Sequence, residues 1–113
     1  MEPLRLIETT PGNWSLLLTA GTAPAAEEAV MAAGHEPNGY FWEGVAQRVV
    51  AEQASGLAER LRYDPEGDMF VAYGTDREAL ADLGTRMAVV AGDAAALTAL
   101  IARAEADGFE FDD

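Results

Sequence analysis

The chain has 113 residues, half of them apolar, and a formal net charge of −13, a composition that predicts one globular domain, 1–113, burying about two-thirds of its unfolded-state surface. That acidity repels nucleic acid, lipid head groups and other anions, and attracts a basic partner. With no cysteine and a single histidine, His35, disulfides, thiolate chemistry and a multi-histidine metal centre are excluded.

The opening Met-Glu-Pro-Leu-Arg has neither the basic stretch nor the apolar run of a secretion signal. No segment approaches about 18 consecutive apolar residues, so a soluble, cytoplasmic protein with no membrane partner is expected. All seven basic residues are arginine and alanine is abundant, which points to a GC-rich, bacterial genome.

Leu4 to Glu8 and Trp14 to Thr19 read as a β-hairpin around the turn residues Thr9 to Asn13. Leu16-Leu17-Leu18 breaks strict alternation and predicts a central or doubly buried strand. After Gly21, Thr22 is the predicted N-cap of a helix with Pro24 in its first turn and an end near Ala33. A second helix starts near Tyr40. Phe41, Val45 and Val49 form one stripe on it, and Trp42, Ala46 and Val50 lie one position away, so the helix needs two packing surfaces. Gly44 costs up to about 1 kcal/mol relative to alanine there, and close packing against the sheet beneath Trp14 or Phe70 is the expected reason.

Residues 54 to 60 lie on an ambiguous boundary between helix and strand. Leu57 to Tyr63 and Met69 to Tyr73 then form a second hairpin around Asp64-Pro65-Glu66-Gly67-Asp68, with proline presetting φ and Gly67 in the left-handed position. Thr75 and Glu78 read as a capping box ahead of a helix carrying Leu80, Leu83, Met87 and Val90 on one stripe. Asp93 caps a last helix that ends at Gly108, and the tail from Glu105, with Asp107, Glu110, Asp112 and Asp113 interleaved with Phe109 and Phe111, reads as a solvated end or an anionic competitor for a basic site. The order ββαα-ββαα predicts an α+β fold of two layers: a four-stranded antiparallel sheet made of two β-hairpins, with helices packed on one face.

Asp64, Glu66 and Asp68 alternate as in a calcium loop, yet the later bidentate glutamate and flanking helices are missing, so a solvated turn is expected. His35 and Glu36 are adjacent, and sequence neighbours seldom converge on one reacting atom, which leaves a surface-loop histidine. No glycine motif cradles a phosphate. No catalytic, cofactor-binding or metal-ligating residue is therefore assigned, and no cofactor is expected. The candidate partner-binding residues are Tyr40 and Trp42 as aromatic anchors, with Glu43, Asp64, Glu66 and Asp68 as the acidic contribution.

N-G-Y-F-W-E-G-V-A at Asn38 to Ala46, then Y-D-P-E-G-D-M-F-V-A-Y-G at Tyr63 to Gly74 and two terminal helices, resembles the bacterial immunity proteins of family 51 associated with polymorphic toxin systems. The resemblance implies a cytoplasmic protein without chemistry of its own that neutralises a cognate protein toxin by stoichiometric binding. Net acidity adds that the toxin is expected to be basic, such as a nuclease. The competing reading is a small ligand-binding domain or enzyme with a pocket between sheet and helices, near Trp14, Tyr40, Trp42 and Tyr73.

Overall fold

Two hairpins supply one antiparallel sheet in the computed structural model, which describes residues 1–112. β1 (Arg5–Thr10) turns into β2 (Asn13–Thr19), and β3 (Arg62–Tyr63) is joined through the acidic turn to β4 (Met69–Gly74). The sheet order is β1-β2-β4-β3. The run Leu16 to Leu18 therefore sits in a central strand. Between the hairpins lie α1 (Pro24–Ala32), α2 (Gly39–Gln53) and a 3-10 helix over Ser55–Arg60, while α3 (Arg77–Ala91) and α4 (Ala94–Ala106) follow β4. α2 and α3 rest on the sheet, whereas α4 packs against α1, α2 and α3.

Alternation in the central strands selects the buried face: Leu16, Leu18, Phe70 and Ala72 are enclosed beneath the helices. α2 adds Phe41, Trp42, Val45 and Val49, α3 adds Leu80, Leu83 and Met87, and α4 adds Leu97, Leu100 and Ile101. Each large apolar side chain contributes about 1.5–3 kcal/mol on burial. Among the described residues no polar or charged residue is buried, so the interior is held by packing and the hydrophobic effect, without side-chain hydrogen bonds.

Three local expectations are corrected. α1 starts with Ala23 at its N-cap and no side-chain cap. The Thr22 hydroxyl instead donates to the Thr19 carbonyl at 2.6 Å, and the Glu27 carboxylate accepts from the Gly21 and Ala23 amides at 2.8 and 3.3 Å. α3 is capped by Asp76 and not Thr75, through an Ala79 amide donating to Asp76 Oδ1 at 3.1 Å. That amide, and then Arg60, hold the Asp76 carboxyl below its ordinary range, and a charged acceptor makes the stronger cap. Gly67 is outside the left-handed region, which Gly12, Gly21, Gly34 and Gly108 occupy; Glu66 and Met69 close the turn by exchanging backbone hydrogen bonds.

The second packing surface of α2 is the C-terminal tail. A Cβ at Gly44 would stand 2.6 Å from Phe111 Cδ1 and 3.3 Å from Phe109 Cε1, so the glycine opens a slot for the tail and not for the sheet. Phe111 stacks on Phe41 with ring centroids 4.9 Å apart, and the His35 ring meets it edge-on at 5.2 Å. Arg48 fastens the start of the tail, donating to Asp107 at 2.7 Å and lying over the Phe109 ring. The tail is thus not merely a solvated end: its two rings complete the core, while Asp113 lies outside the described residues. His35 is also more than a surface-loop residue, since its side chain is only 14% exposed and its Nε2 lies 2.9 Å from Glu105.

The tightest approach joins helix to hairpin. Gly39 donates to the Gly67 carbonyl at 3.3 Å, and a Cβ at Gly39 would overlap the carbonyl oxygens of Glu66 and Met69. Backbone cannot yield there as a flexible side chain would. Gly39→Ala is expected to lower the unfolding free energy by about 2 kcal/mol or more, read from urea denaturation; a loss under about 0.5 kcal/mol would show that α2 docks without needing the glycine.

Candidate functional site

Docking of α2 on the second hairpin gathers most of the candidate residues at one end of the molecule. Asn38 caps α2, its Oδ1 accepting from the Phe41 amide at 2.9 Å, and Gly39 rests on the turn that carries Asp64, Glu66 and Asp68, all three exposed. Tyr40 follows at 41% exposure. Glu43, one turn along, accepts from Gln47 Nε2 at 2.9 Å and is partly buried. Its carboxyl is pushed above the ordinary value of 4.5, by burial first and then by Asp112. The Tyr63 phenol is pushed up to about 12, by burial and then by Glu43, which places Glu43 between an aromatic and a second carboxylate. Trp42 departs from expectation. At 2% exposure it is a core residue, edge-on to Phe41 at 5.6 Å, because successive helical residues diverge by about 100° and Tyr40 takes the outward direction.

The face of the sheet turned away from the helices has a different character, which the sequence reading missed. Strand register lays down two adjacent rows across it. Arg5 pairs with Leu17 and Leu17 with Val71, whose carbonyl accepts from the Asp64 amide at 2.9 Å. Ile7 pairs with Ser15, Ser15 with Tyr73 and Tyr73 with Arg62. Tyr73 is 40% exposed, and Ile7, Leu17 and Val71 are only partly covered. A hollow of about 170 Å³ lined by Ser15, Asp64, Val71 and Tyr73 adjoins one of about 440 Å³ lined by Arg60, Arg62, Tyr73 and Asp76.

Arginine pairing separates this face from the rest. Arg48 pairs with Glu52 and Asp107, Arg60 with Asp76, Arg77 with Glu78, Arg86 with Asp82 and Arg103 with Glu52. Arg5 and Arg62 have no ion-pair partner among the described residues, and both stand on the uncovered face. The clue in the sequence is the alternation Arg5, Ile7 and Val71, Tyr73, but only the strand order brings these pairs together.

A third feature is an apolar cleft of about 240 Å³ between α2 and the 3-10 helix, lined by Val50, Ala51, Ala58 and Tyr63 among others. No group of three or more metal-ligating side chains occurs among the described residues. The interval between sheet and helices, where a ligand pocket was the competing expectation, is filled by Leu16, Leu18, Trp42 and Phe70. Trp14 lies at its margin under the Arg77 guanidinium, 5.1 Å from the ring centroid. No single helix among the described residues is long and apolar enough to cross a membrane.

Comparison with known families finds one that matches residues 4–106, described as Immunity protein 51. Neither the curated proteins nor the solved structures yield a match.

The raised Glu43 carboxyl has a sign that can be checked. A carboxyl whose folded value exceeds its unfolded value supports the fold below the unfolded value, and that support is lost as pH rises through the folded one. Glu43→Gln keeps the hydrogen bond to Gln47 and removes the charge. Thermal melts are expected to show the variant more stable than wild type at pH 7 and equal to it at pH 3; equal melting at pH 7 would mean that water screens the carboxylate fully. Replacing Asp64, Glu66 and Asp68 together by their amides is expected to move stability by no more than about 1 kcal/mol, as for a solvated turn. Loss of cooperative unfolding would contradict that.

Proposed function

The chain belongs to the immunity protein 51 family, and from that premise we propose that it binds a cognate toxin domain of a polymorphic toxin system and neutralises it by forming a stoichiometric complex. The match over residues 4–106 carries this reading. The net charge of −13 supports a basic toxin, such as a nuclease, met in the cytoplasm, with neither nucleic acid nor membrane as a partner. No catalytic step by this chain is invoked.

The acidic end described above suits the steering part of that task. Asp64, Glu66 and Asp68 project into solvent near Tyr40 where α2 meets the hairpin, with the partly buried Glu43 one turn along. Exposed charges of one sign raise the association rate of an oppositely charged partner and contribute little to the lifetime of the complex. Tyr40 offers an aromatic body at low entropic cost, while Trp42 acts from the core by holding α2 in place.

A toxin domain encoded beside this gene, the arrangement expected for an immunity protein, is the partner to test. Co-expression is expected to restore growth to cells producing that domain, and the purified proteins are expected to associate one to one. Association should slow at least about tenfold between 0.05 and 0.5 M salt, because screening shortens the reach of surface charge from roughly 14 Å to 4 Å. The amide triple variant at Asp64, Glu66 and Asp68 should flatten that dependence while leaving dissociation nearly unchanged. Growth arrest despite co-expression, with no complex in solution, would refute the reading.

A further inference from the structure

We propose that the uncovered face of the sheet is the anchoring surface for that toxin, with Tyr73 at its centre and Arg5 and Arg62 at its flanks receiving carboxylates from the partner. The inference rests on the reading of function above and adds where contact is made and with what chemistry.

Ion pairing is unevenly distributed over the molecule. The chain holds 20 carboxylates and only seven arginines, so an arginine has ample opportunity to find a partner. Five have done so. The two that have not occupy opposite margins of one face, Arg5 on β1 and Arg62 on β3, the outermost strands of the sheet. Between them Leu17 pairs with Val71, and Ser15 joins Ile7 to Tyr73, so the middle of the face is apolar but for one serine. An apolar centre with tyrosine and arginine, depleted of acids, is the composition of an interface core, and acidic groups belong at its rim. Asp64 stands both on this face and at the start of the acidic turn, so core and rim are contiguous.

A second copy of the chain is the less suitable occupant. Stacking two such faces about a twofold axis parallel to the strands sets Arg5 against Asp64 of the other copy but leaves Arg62 over Ile7. It also brings together two molecules of charge −13. The four short strands present roughly 400 Å² per copy, against about 800 Å² per partner in stable complexes. The face is therefore the middle of a larger contact, which the hairpin end extends. A basic toxin is compatible with arginine anchors, since net charge governs approach over a Debye length and local carboxylates govern contact.

Tyr73→Ala and Arg62→Glu in the full chain test the assignment, with Tyr73→Phe and Arg62→Lys as conservative controls and thermal melts confirming the fold. Binding of the toxin domain encoded by the neighbouring gene is followed by stopped-flow and surface-immobilised kinetics. Each disruptive variant is expected to weaken affinity about 30-fold or more, mainly through faster dissociation, with the association rate and its salt dependence retained for Tyr73→Ala. The conservative variants should remain within a few-fold of wild type. A tight wild-type complex that both disruptive variants leave intact overturns the surface assignment and spares the reading of function. Absence of any wild-type complex overturns both. Sedimentation showing a wild-type dimer that Arg5→Glu dissolves overturns the assignment as well, by giving the face to a second copy.

Discussion

The arrangement depends on one close approach, that of the α2 backbone at Gly39 to the turn between β3 and β4. Docking the helix end there fixes the rotation of α2 about its axis, and rotation decides the fate of three consecutive aromatics. Phe41 turns to the tail and His35, Trp42 into the core, and Tyr40 to solvent. The contact also has an electrostatic logic. The positive end of the α2 dipole abuts a turn bearing three carboxylates, and acidic groups are stabilised at helix N-termini. Geometry and charge thus hold the same junction, and the acidic turn is presented by a helix that helps it tolerate its own repulsion.

Charge in this molecule is segregated by range. Carboxylates spread over the helices and the hairpin end give a field that acts before contact, whereas most arginines are consumed in local pairs such as Arg86 with Asp82 and Arg103 with Glu52. The sheet face is left nearly neutral and partly apolar. An immunity protein has to be fast, because its target is lethal, and also long-lived once bound. Those demands draw on different physical terms, long-range electrostatics and desolvated contact. On the reading proposed above they would fall to neighbouring but separate regions.

Much of this was legible in the sequence because it is periodic or local. The stripe Phe41, Val45, Val49 follows from helical spacing alone, the first hairpin from turn chemistry around Gly12, and the Asp93 cap from its position before an apolar run. Of the second hairpin, the turn at Pro65 and β4 were legible, whereas Ser55–Arg60 folds as a 3-10 helix and leaves only Arg62–Tyr63 of the expected Leu57 to Tyr63 arm as strand. What escaped was non-local or a choice between near-equals. Gly44 advertises a close contact without naming its partner, and the partner was Phe111 at the far end of the chain. Thr75 and Asp76 both cap helices well, and the backbone at the end of β4 chose the second. Trp42 lies between buried Phe41 and half-buried Glu43, so its direction depends on where the helix docks. The bare arginines required every other arginine to be paired first, which only the folded chain reveals.

An interior without buried polar residues among those described also bears on history. Apolar cores tolerate volume-conserving exchange of one hydrophobic residue for another at modest cost, and no hydrogen-bond partner must change in step. On the proposed reading, recognition by contrast rests on groups that face outward from the strands and turns. The scaffold and the specificity of this protein can therefore drift independently, so that a lineage pursued by a changing toxin could rewrite its surface without relearning how to fold.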